Sequence, residues 1–218
     1  MPEGDTLWRT ANALRPRLAG KPLLDGLVIH SHLRMTGSWH LYRPGERWRK
    51  PARLAKLVLA NRDTVAVLFN APLVELLREK EVPRELGHLG PDILAPTLDL
   101  EEILRRARAA GDRPLGELLL DQRVSAGIGN IYKCESLWRL QLDPWRPVGE
   151  VGDETLRKLY GEARTLMLAA LRGRVPHAVH GRAGRLCPRC STRIQIRGQG
   201  AQTRFTYWCP TCQRPGLR

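Results

Sequence analysis

Four of the five cysteines lie near the end of the sequence, in two Cys-x-x-Cys pairs. Cys187 and Cys190 form the first pair, Cys209 and Cys212 form the second, and eighteen residues separate the pairs. Two residues between the thiols of a pair let both face one tetrahedral ion, and the longer spacing is enough for a β-hairpin that brings the pairs together. The pattern predicts a structural Zn2+ ion whose four thiolate ligands leave no position for a substrate, with disulfides or a redox pair as the alternatives. Cys134 is isolated in a helical stretch and is expected to be a packing residue.

The start of the chain, Met-Pro-Glu-Gly-Asp, holds a second candidate for chemistry. A small second residue permits removal of Met1, which would leave Pro2 with a free secondary amine. Such an amine can shed its proton near neutral pH and condense with an aldehyde to an iminium ion, and Glu3 beside it could transfer protons. The segment therefore predicts a Pro2 nucleophile assisted by Glu3, whereas the alternative is an ordinary exposed terminus.

A glycine-rich turn between two predicted helices is the third candidate. Gly127 and Gly129 would let the backbone approach a ligand closely, and Asn130 could cap the following helix, whose free N–H groups favour an anion. Two basic residues, Arg123 and Lys133, flank the turn. The turn predicts contact with a nucleic-acid phosphate, and the alternative is a tight helix connection with no ligand.

The balance of charge indicates the kind of partner. The chain has 218 residues, in which 36 Lys and Arg stand against 22 Asp and Glu, giving a net charge of +14 and a pI near 10.4. Because the excess is spread along the chain, it favours a polyanion, most simply nucleic acid, over a charge that only keeps the protein dispersed. Apolar runs fall far short of the roughly 20 residues of a membrane span and no signal segment is evident, so neither a membrane nor a secreted protein is expected.

The periodicity of apolar residues places these candidates on secondary structure. An N-terminal helix is predicted by the spacing of Leu7, Ala11, Leu14 and Leu18, with Pro16 limiting its regular part. Short strands are predicted at 27–33, 38–42, 57–60, 64–69 and 73–77. After a loop-rich connection at 83–96, helices are predicted at 99–110, 115–122, 131–140 and 153–171. The first part is therefore mostly β, the second is helical, and a basic connector leads to the metal-binding hairpin.

Three motifs in this order resemble the DNA glycosylases of the formamidopyrimidine-DNA glycosylase and endonuclease VIII group. They are the Pro2-Glu3-Gly4 start, the turn at 122–132, and the hairpin that ends Arg-Phe-Thr-Tyr-Trp-Cys-Pro-Thr-Cys-Gln. The Pro-Glu-Gly-Asp-Thr start and the segment Ser-His-Leu-Arg-Met-Thr-Gly-Ser-Trp (31–39) are similar to the actinobacterial endonuclease VIII branch. The resemblance implies an α+β fold. It would consist of an N-terminal helix with an antiparallel β-sandwich (1–96), a helix–two-turn–helix DNA-binding domain (97–184) and a zinc-finger hairpin (185–218).

The same resemblance implies roles for single residues. Pro2 would be the Schiff-base nucleophile that attacks C1′ of the damaged nucleotide, and Glu3 the acid/base that assists opening of the sugar ring. Asn130 matches the phosphate-binding position of the turn, with Gly129 beside it. Arg204 matches a zinc-hairpin arginine that grips phosphate and takes part in δ-elimination; the alternative is a solvated strand arginine.

Two further residues would contact the interior of the DNA duplex. Met35 matches the apolar wedge that fills the gap left by a flipped-out base, and a core methionine is the alternative. Arg34 would contact the orphaned base, while Arg123 and Lys133 would contact the backbone.

One segment departs from the family pattern. Family members carry further strands between the first helix and the His-Ser-His-Leu segment, including a hairpin lysine needed for base removal. Here Gly-Lys-Pro-Leu-Leu (20–24) runs directly into Asp-Gly-Leu-Val, so Lys21 is not that lysine. The connector after Leu171 also looks shortened. Base excision is therefore the step that the sequence leaves in question.

The resulting expectation is a bifunctional DNA glycosylase and AP lyase of base excision repair. It would remove oxidised bases, mainly pyrimidines, through a Pro2 Schiff base and nick the strand by β,δ-elimination. A lyase-only or non-catalytic binder of damaged or abasic DNA is the first alternative, and a zinc-ribbon transcription or RNA factor is the second. Damaged double- or single-stranded DNA is the expected partner of a monomer in the bacterial cytoplasm, at the nucleoid.

Overall fold

The computed structural model describes residues 3–18, 26–34, 36–173, 175–201 and 203–214. The chain forms two compact units: Thr6–His88 make up the first, and Glu3–Asp5 join Leu89–Arg218 in the second. The boundary after His88 lies before the predicted boundary at residue 96. The division of the second unit into a helical domain and a hairpin domain stays a prediction. Helices and antiparallel sheets together confirm the α+β class.

The first unit contains most of helix α1 (Gly4–Leu18) and five strands in two antiparallel sheets. In one sheet β1 (Leu27–His32) pairs with β5 (Leu73–Arg78). In the other, β4 (Val65–Phe69) lies between β2 (Ser38–Tyr42) and β3 (Ala55–Ala60). All five strands were expected at these places in the sequence.

Apolar side chains of both sheets share one core. The central strand β4 has the unbroken apolar run Val-Ala-Val-Leu-Phe, as expected for a strand covered on both faces, whereas β3 is more exposed at every second residue. A buried cluster is formed by Leu33, Leu68 and Ala71, against which side chains of β2, β3 and β5 pack: Trp39, Leu57 and Val74. This shared core gives the sandwich arrangement that was predicted.

The start of the predicted loop-rich connection is helical. A 3-10 turn (Glu79–Glu81) leads into the short helix α2 (Val82–Leu86). Pro83 lies in the first turn of α2, where a backbone N–H would have no partner within the helix. A proline at that position is compatible with a helix start, so the loop prediction was wrong for these residues.

Four helices build the second unit: α3 (Leu100–Ala109), α4 (Leu115–Leu120), α5 (Asn130–Arg139) and α6 (Asp153–Arg172). Asp99 caps α3 as predicted, because its Oδ1 accepts a hydrogen bond from Glu102 N at 3.0 Å. The apolar stripe predicted for α6 is buried against the other helices, at Leu156, Leu159, Ala163, Leu166 and Ala170.

The second unit ends in an antiparallel hairpin of β6 (Gln195–Gln199) and β7 (Arg204–Trp208). Gly200, with φ +71°, takes the left-handed conformation that the turn requires. In the part of the chain that the structure describes, no helix has both the length and the apolar character needed to cross a membrane.

Candidate active site and metal centre

The carboxyl group of Glu3 lies at the N-terminus of helix α5. Glu3 is 7% exposed, and its Oε1 accepts a hydrogen bond from Ile131 N at 2.9 Å. The first N–H groups of a helix have no partner within it and carry a partial positive charge. A nucleic-acid phosphate was predicted at this helix end; the carboxyl group of Glu3 lies there in the structure, and phosphate contact stays a prediction.

Glycines allow this close approach. A Cβ atom on Gly129 would overlap Cγ and Cδ of Glu3, and a Cβ on Gly4 would lie 2.8 Å from Cε of Met167. Gly4 N donates to Gly127 O at 2.8 Å, which joins the first residues of α1 to the turn before α5. The space beside the Cα of Gly129 is filled by Glu3, and the predicted approach of DNA to the Gly129 backbone stays a prediction.

Burial governs the protonation of Glu3. Removal from water raises the pKa of Glu3 from 4.5 to about 7, against the smaller lowering effect of the hydrogen bond from Ile131 N. The second carboxyl oxygen, Oε2, is buried and has no hydrogen-bond partner within the described residues. A carboxyl group with these properties can hold or release a proton near neutral pH, which suits a general acid/base.

The amide of Asn130 joins α5 to the hairpin. Its Nδ2 donates to Phe205 O at 2.8 Å, and its Oδ1 is buried with no partner among the residues that the structure describes. The predicted capping role was wrong: α5 begins at Asn130 itself, and a carboxyl oxygen from Glu3 serves the next N–H. Phosphate binding by Asn130 stays a prediction.

A buried polar chain runs from α5 through the hairpin. Lys133 Nζ donates to Thr206 Oγ1 at 2.7 Å, Thr206 Oγ1 donates to Gln199 Oε1 at 2.7 Å, and Gln199 Nε2 donates to Pro144 O at 2.8 Å. Gly116 leaves the room that the Gln199 amide fills. Lys133 is 0% exposed, so its predicted contact with a DNA backbone was wrong. Its ammonium group instead ties β7 to α5, and burial lowers its pKa.

Two arginines were predicted to bind DNA, one in the hairpin and one in the turn before α5. Arg204 is the first residue of β7, is half-buried, and pairs in register with Gln199. Arg123 is 67% exposed, but Asp121 accepts two hydrogen bonds from its guanidinium group and also pairs with Arg113. Asp121 therefore offsets only part of the positive charge of Arg123, because it is shared with Arg113. Whether either arginine contacts DNA stays a prediction.

The four cysteines predicted as metal ligands converge. The Sγ atoms of Cys187, Cys190, Cys209 and Cys212 all lie within 4.8 Å of one another, and three of the separations are 3.4, 3.4 and 3.9 Å. A tetrahedral zinc ion with Zn–S bonds of about 2.3 Å requires sulfurs about 3.8 Å apart. The cluster therefore fits the ion that its spacing predicts.

Helix α5 also reaches the first cysteine pair. Trp138 Nε1 donates to Cys187 Sγ at 3.4 Å, and the guanidinium group of Arg189 stacks 4.3 Å from the centroid of the Trp138 ring. Arg189 also donates to the carbonyls of Trp138 and Arg139, the last residues of α5. Hydrogen bonds of this kind orient metal ligands from outside the coordination sphere. Cys134 is buried beside the hairpin, and burial raises its pKa to about 11, which confirms its packing role.

Three further residues were predicted to act at the DNA interface: Pro2, Arg34 and Met35. Pro2 and Met35 are not among the described residues. Arg34 belongs to the first unit, is exposed, and has the left-handed φ of +45°. Their proposed roles stay predictions.

Two polar residues that shape the site were missed. Gln122 holds the turn before α5, because its Oε1 accepts from Gly127 N at 2.8 Å and its Nε2 donates to Ile128 O at 3.0 Å. Glu135 is 4% exposed, and its carboxylate accepts three backbone hydrogen bonds of 2.8–2.9 Å from residues 178–180. A glutamate in the middle of an apolar helix was the available signal for the second.

Known proteins are similar to this chain in sequence and in fold. Residues 89–177 match the family model "Formamidopyrimidine-DNA glycosylase H2TH domain". The chain is similar to "Probable endonuclease 8 2" of Streptomyces coelicolor, with 40% identity over 270 residues that cover 100% of this chain and 98% of the relative. It is also similar to "DNA-(apurinic or apyrimidinic site) lyase Nei2" of Mycolicibacterium smegmatis, with 34% identity, 98% of this chain and 99% of the relative.

Among solved structures, MutM (Fpg) from Thermus thermophilus superposes with a TM-score of 0.78 and 26% identity, covering 99% of this chain and 100% of that one. The alignment with the Streptomyces protein spans 270 residues, whereas this chain has 218. That relative therefore carries segments that this chain lacks.

Proposed function

Because the chain belongs to the formamidopyrimidine-DNA glycosylase and endonuclease VIII family, we propose that it is a DNA repair enzyme acting on damaged bases and abasic sites. It would be a bifunctional glycosylase and AP lyase that removes oxidised bases, mainly pyrimidines. The observation that carries the proposal is the buried Glu3 carboxyl group at the N-terminus of α5, directly after Pro2 in the chain.

The chemistry assigned to the first residues follows from their functional groups. The Pro2 amine would attack C1′ of the damaged nucleotide, the base would leave, and an iminium ion would join Pro2 to the opened sugar. The iminium makes the C2′ proton acidic, so its removal expels the 3′ phosphate and a second elimination expels the 5′ phosphate. A Glu3 pKa of about 7 supports proton transfer in both directions at neutral pH.

The metal centre would have a structural role. We assign one Zn2+ ion to Cys187, Cys190, Cys209 and Cys212, whose four thiolates fill a tetrahedral shell and leave no place for an activated water. The ion would stabilise the hairpin that carries Arg204, which we assign to a phosphate beside the lesion. Phosphate contact by Asn130, wedge insertion by Met35 and base contact by Arg34 complete the proposed DNA interface. Action as a monomer at the bacterial nucleoid stays a prediction.

Borohydride trapping tests the amine. Reduction of the iminium should link the protein covalently to abasic-site DNA, and mass spectrometry of the intact protein should show that Met1 is removed. Pro2→Gly, or a variant that retains Met1, should reduce trapping strongly or abolish it. Glu3→Gln should slow base release from a lesion-containing duplex more than trapping on an abasic site, whose aldehyde is already free. Equal trapping by the blocked protein would exclude Pro2 as the nucleophile.

A second function, AP lyase without base excision, has specific support. Only residues 19–26 join α1 to β1, a length that leaves no room for the strands and lysine that the family resemblance implies there. Parallel assays distinguish the two functions. Nicking of both abasic and oxidised-pyrimidine duplexes supports the bifunctional enzyme, whereas nicking of the abasic duplex alone supports the lyase.

A further inference from the structure

A dense group of cations lies on the segment between β2 and β3, here called the basic loop (residues 43–53). Its sequence is Arg-Pro-Gly-Glu-Arg-Trp-Arg-Lys-Pro-Ala-Arg, so five basic residues accompany one acidic residue. Four of the five are exposed and Lys50 is partly buried, the exposed ones being Arg43, Arg47, Arg49 and Arg53. None of the site residues described above comes from this loop.

The arginine side chains of the basic loop have no acidic partner among the described residues. Within the described residues, no salt bridge involves a basic-loop arginine. Several arginines of the second unit are instead paired with carboxylates, for example Arg105 with Glu102 at 2.6 Å and Arg157 with Glu101 at 3.0 Å. The basic loop is therefore a place where the net positive charge is concentrated without local neutralisation.

The loop is held in one conformation by polar contacts to the sheet. Lys50 Nζ donates to Ser38 Oγ at 2.9 Å, and Arg49 N donates to the hydroxyl of Tyr42 at 3.1 Å. His40 lies between these two β2 side chains and hydrogen-bonds to both, at 3.0 and 3.2 Å. Successive partners on β2 are two residues apart, so all three point to one face of the sheet.

The start of the loop is a tight turn. Glu46 N donates to Arg43 O at 3.1 Å, and Arg43 N donates to Glu46 Oε2 at 2.9 Å. Gly45 has a φ of +80°, which the turn requires. Trp48 then packs on the sheet, with its ring 6.3 Å from Tyr42 and 5.8 Å from Phe69. Backbone that is fixed in this way loses less entropy when its side chains bind a ligand.

We propose that the basic loop binds the phosphate backbone of duplex DNA. The proposal rests on the proposed function for its choice of polyanion. Duplex DNA carries one charge per about 1.7 Å of axis, and several exposed guanidinium groups without a carboxylate partner can neutralise several phosphates without reading sequence. Arginine suits this role because its planar fork donates two hydrogen bonds to one phosphate.

Salt dependence of binding tests the proposal with a charge-matched control. The test variant is Arg47→Ala/Arg49→Ala/Arg53→Ala. The control is Arg84→Ala/Arg105→Ala/Arg157→Ala, which removes the same charge from three arginines that are paired with glutamates. The probe is an undamaged duplex of about 20 base pairs, so that no catalytic step is needed. Affinity is measured by fluorescence anisotropy from 50 to 200 mM NaCl.

The slope of log K against log[salt] should become less steep by about 2 to 3 in the test variant, because each phosphate contact contributes about 0.9. Wild-type affinity would then fall about fortyfold more than that of the variant over this salt range. The control should change the slope by less than about 0.5, and thermal unfolding should show that both variants are folded. If the triple variant fails to fold, the three single variants should each lower the slope by about 0.9.

Equal slopes for the test variant and the control would overturn the proposal. It would also be overturned if the test variant lost binding to vesicles of anionic lipid but bound the duplex as the wild type does. Borohydride trapping on abasic DNA, run with the same proteins, distinguishes this failure from failure of the proposed enzyme. A wild-type protein that does not trap but shows the expected slope change would refute the lyase and retain the DNA-binding loop.

Discussion

Replacement of Glu3 by Gln should remove a pH dependence of folding that the buried carboxyl group causes. Burial raises the pKa of Glu3 from 4.5 to about 7 in the folded chain, so between these values the folded state keeps a proton that the unfolded state releases. The contribution of Glu3 to the free energy of unfolding is therefore highest below pH 4.5 and falls as pH rises toward 7. One pKa unit corresponds to about 1.4 kcal/mol, so the fall is about 3 kcal/mol in total.

Glutamine keeps the size of the side chain and the oxygen that accepts from Ile131 N, but it does not titrate. The difference in unfolding free energy between Glu3→Gln and the wild type should therefore shift by about 3 kcal/mol between pH 4.5 and pH 7.5, in favour of the variant. Urea unfolding at half-unit pH steps measures this difference. Other titrating groups cancel, because both proteins contain them.

Glu154→Gln is the matched control, since Glu154 has a side chain that is 71% exposed in the first turn of α6. Its unfolding free energy should follow that of the wild type across the whole range. A 13C NMR titration of labelled glutamate should also show one carboxyl group with a midpoint near pH 7, absent from Glu3→Gln. Parallel unfolding curves for wild type and Glu3→Gln would refute the reasoning, because a carboxyl group with that pKa must link folding to pH.

Three further changes test the site. Gly129→Ala should displace the Glu3 carboxyl group and destabilise the protein by about 2 kcal/mol or more in urea unfolding, with reduced borohydride trapping; unchanged trapping would contradict the packing. Lys133→Met should leave the salt dependence of DNA binding unchanged, because Lys133 is buried, whereas a slope lower by about 0.9 would restore it as a phosphate contact. Cys209→Ser should abolish stoichiometric zinc by elemental analysis and weaken DNA binding, while circular dichroism shows an intact β-rich unit; full zinc content would exclude the site.

Elements with a strong local pattern were predictable. The apolar stripe of α6 and the Asp99 cap of α3 depend on residues a few positions apart, and both occur where the sequence places them. The cysteine cluster was equally predictable, because four thiols in two pairs admit few arrangements other than one cluster. The short helix α2 was not predicted, because a proline such as Pro83 indicates a loop as readily as the first turn of a helix.

Contacts between distant residues were not predictable. Glu3 and Ile131 are 128 positions apart, and Lys133 and Thr206 are 73 positions apart. The glycine-rich turn indicated correctly that something approaches the N-terminus of α5 closely, but composition cannot distinguish a phosphate from a carboxylate of the same chain. Lys133 was misjudged because a lysine in an amphipathic helix is nearly always at the surface.

Helix α5 contacts both the carboxyl group of Glu3 and the cysteine cluster. Its first turn receives the Glu3 carboxyl group, Lys133 in its middle holds β7, and Trp138 near its end donates to Cys187 Sγ. A helix of ten residues is about 15 Å long, so the two centres lie at opposite ends of one rigid element. The proposed zinc ion, with a complete shell of thiolates, would therefore affect the proposed chemistry through the position of the hairpin. Loss of zinc should accordingly impair contacts that involve Arg204 more than it changes the protonation of Glu3.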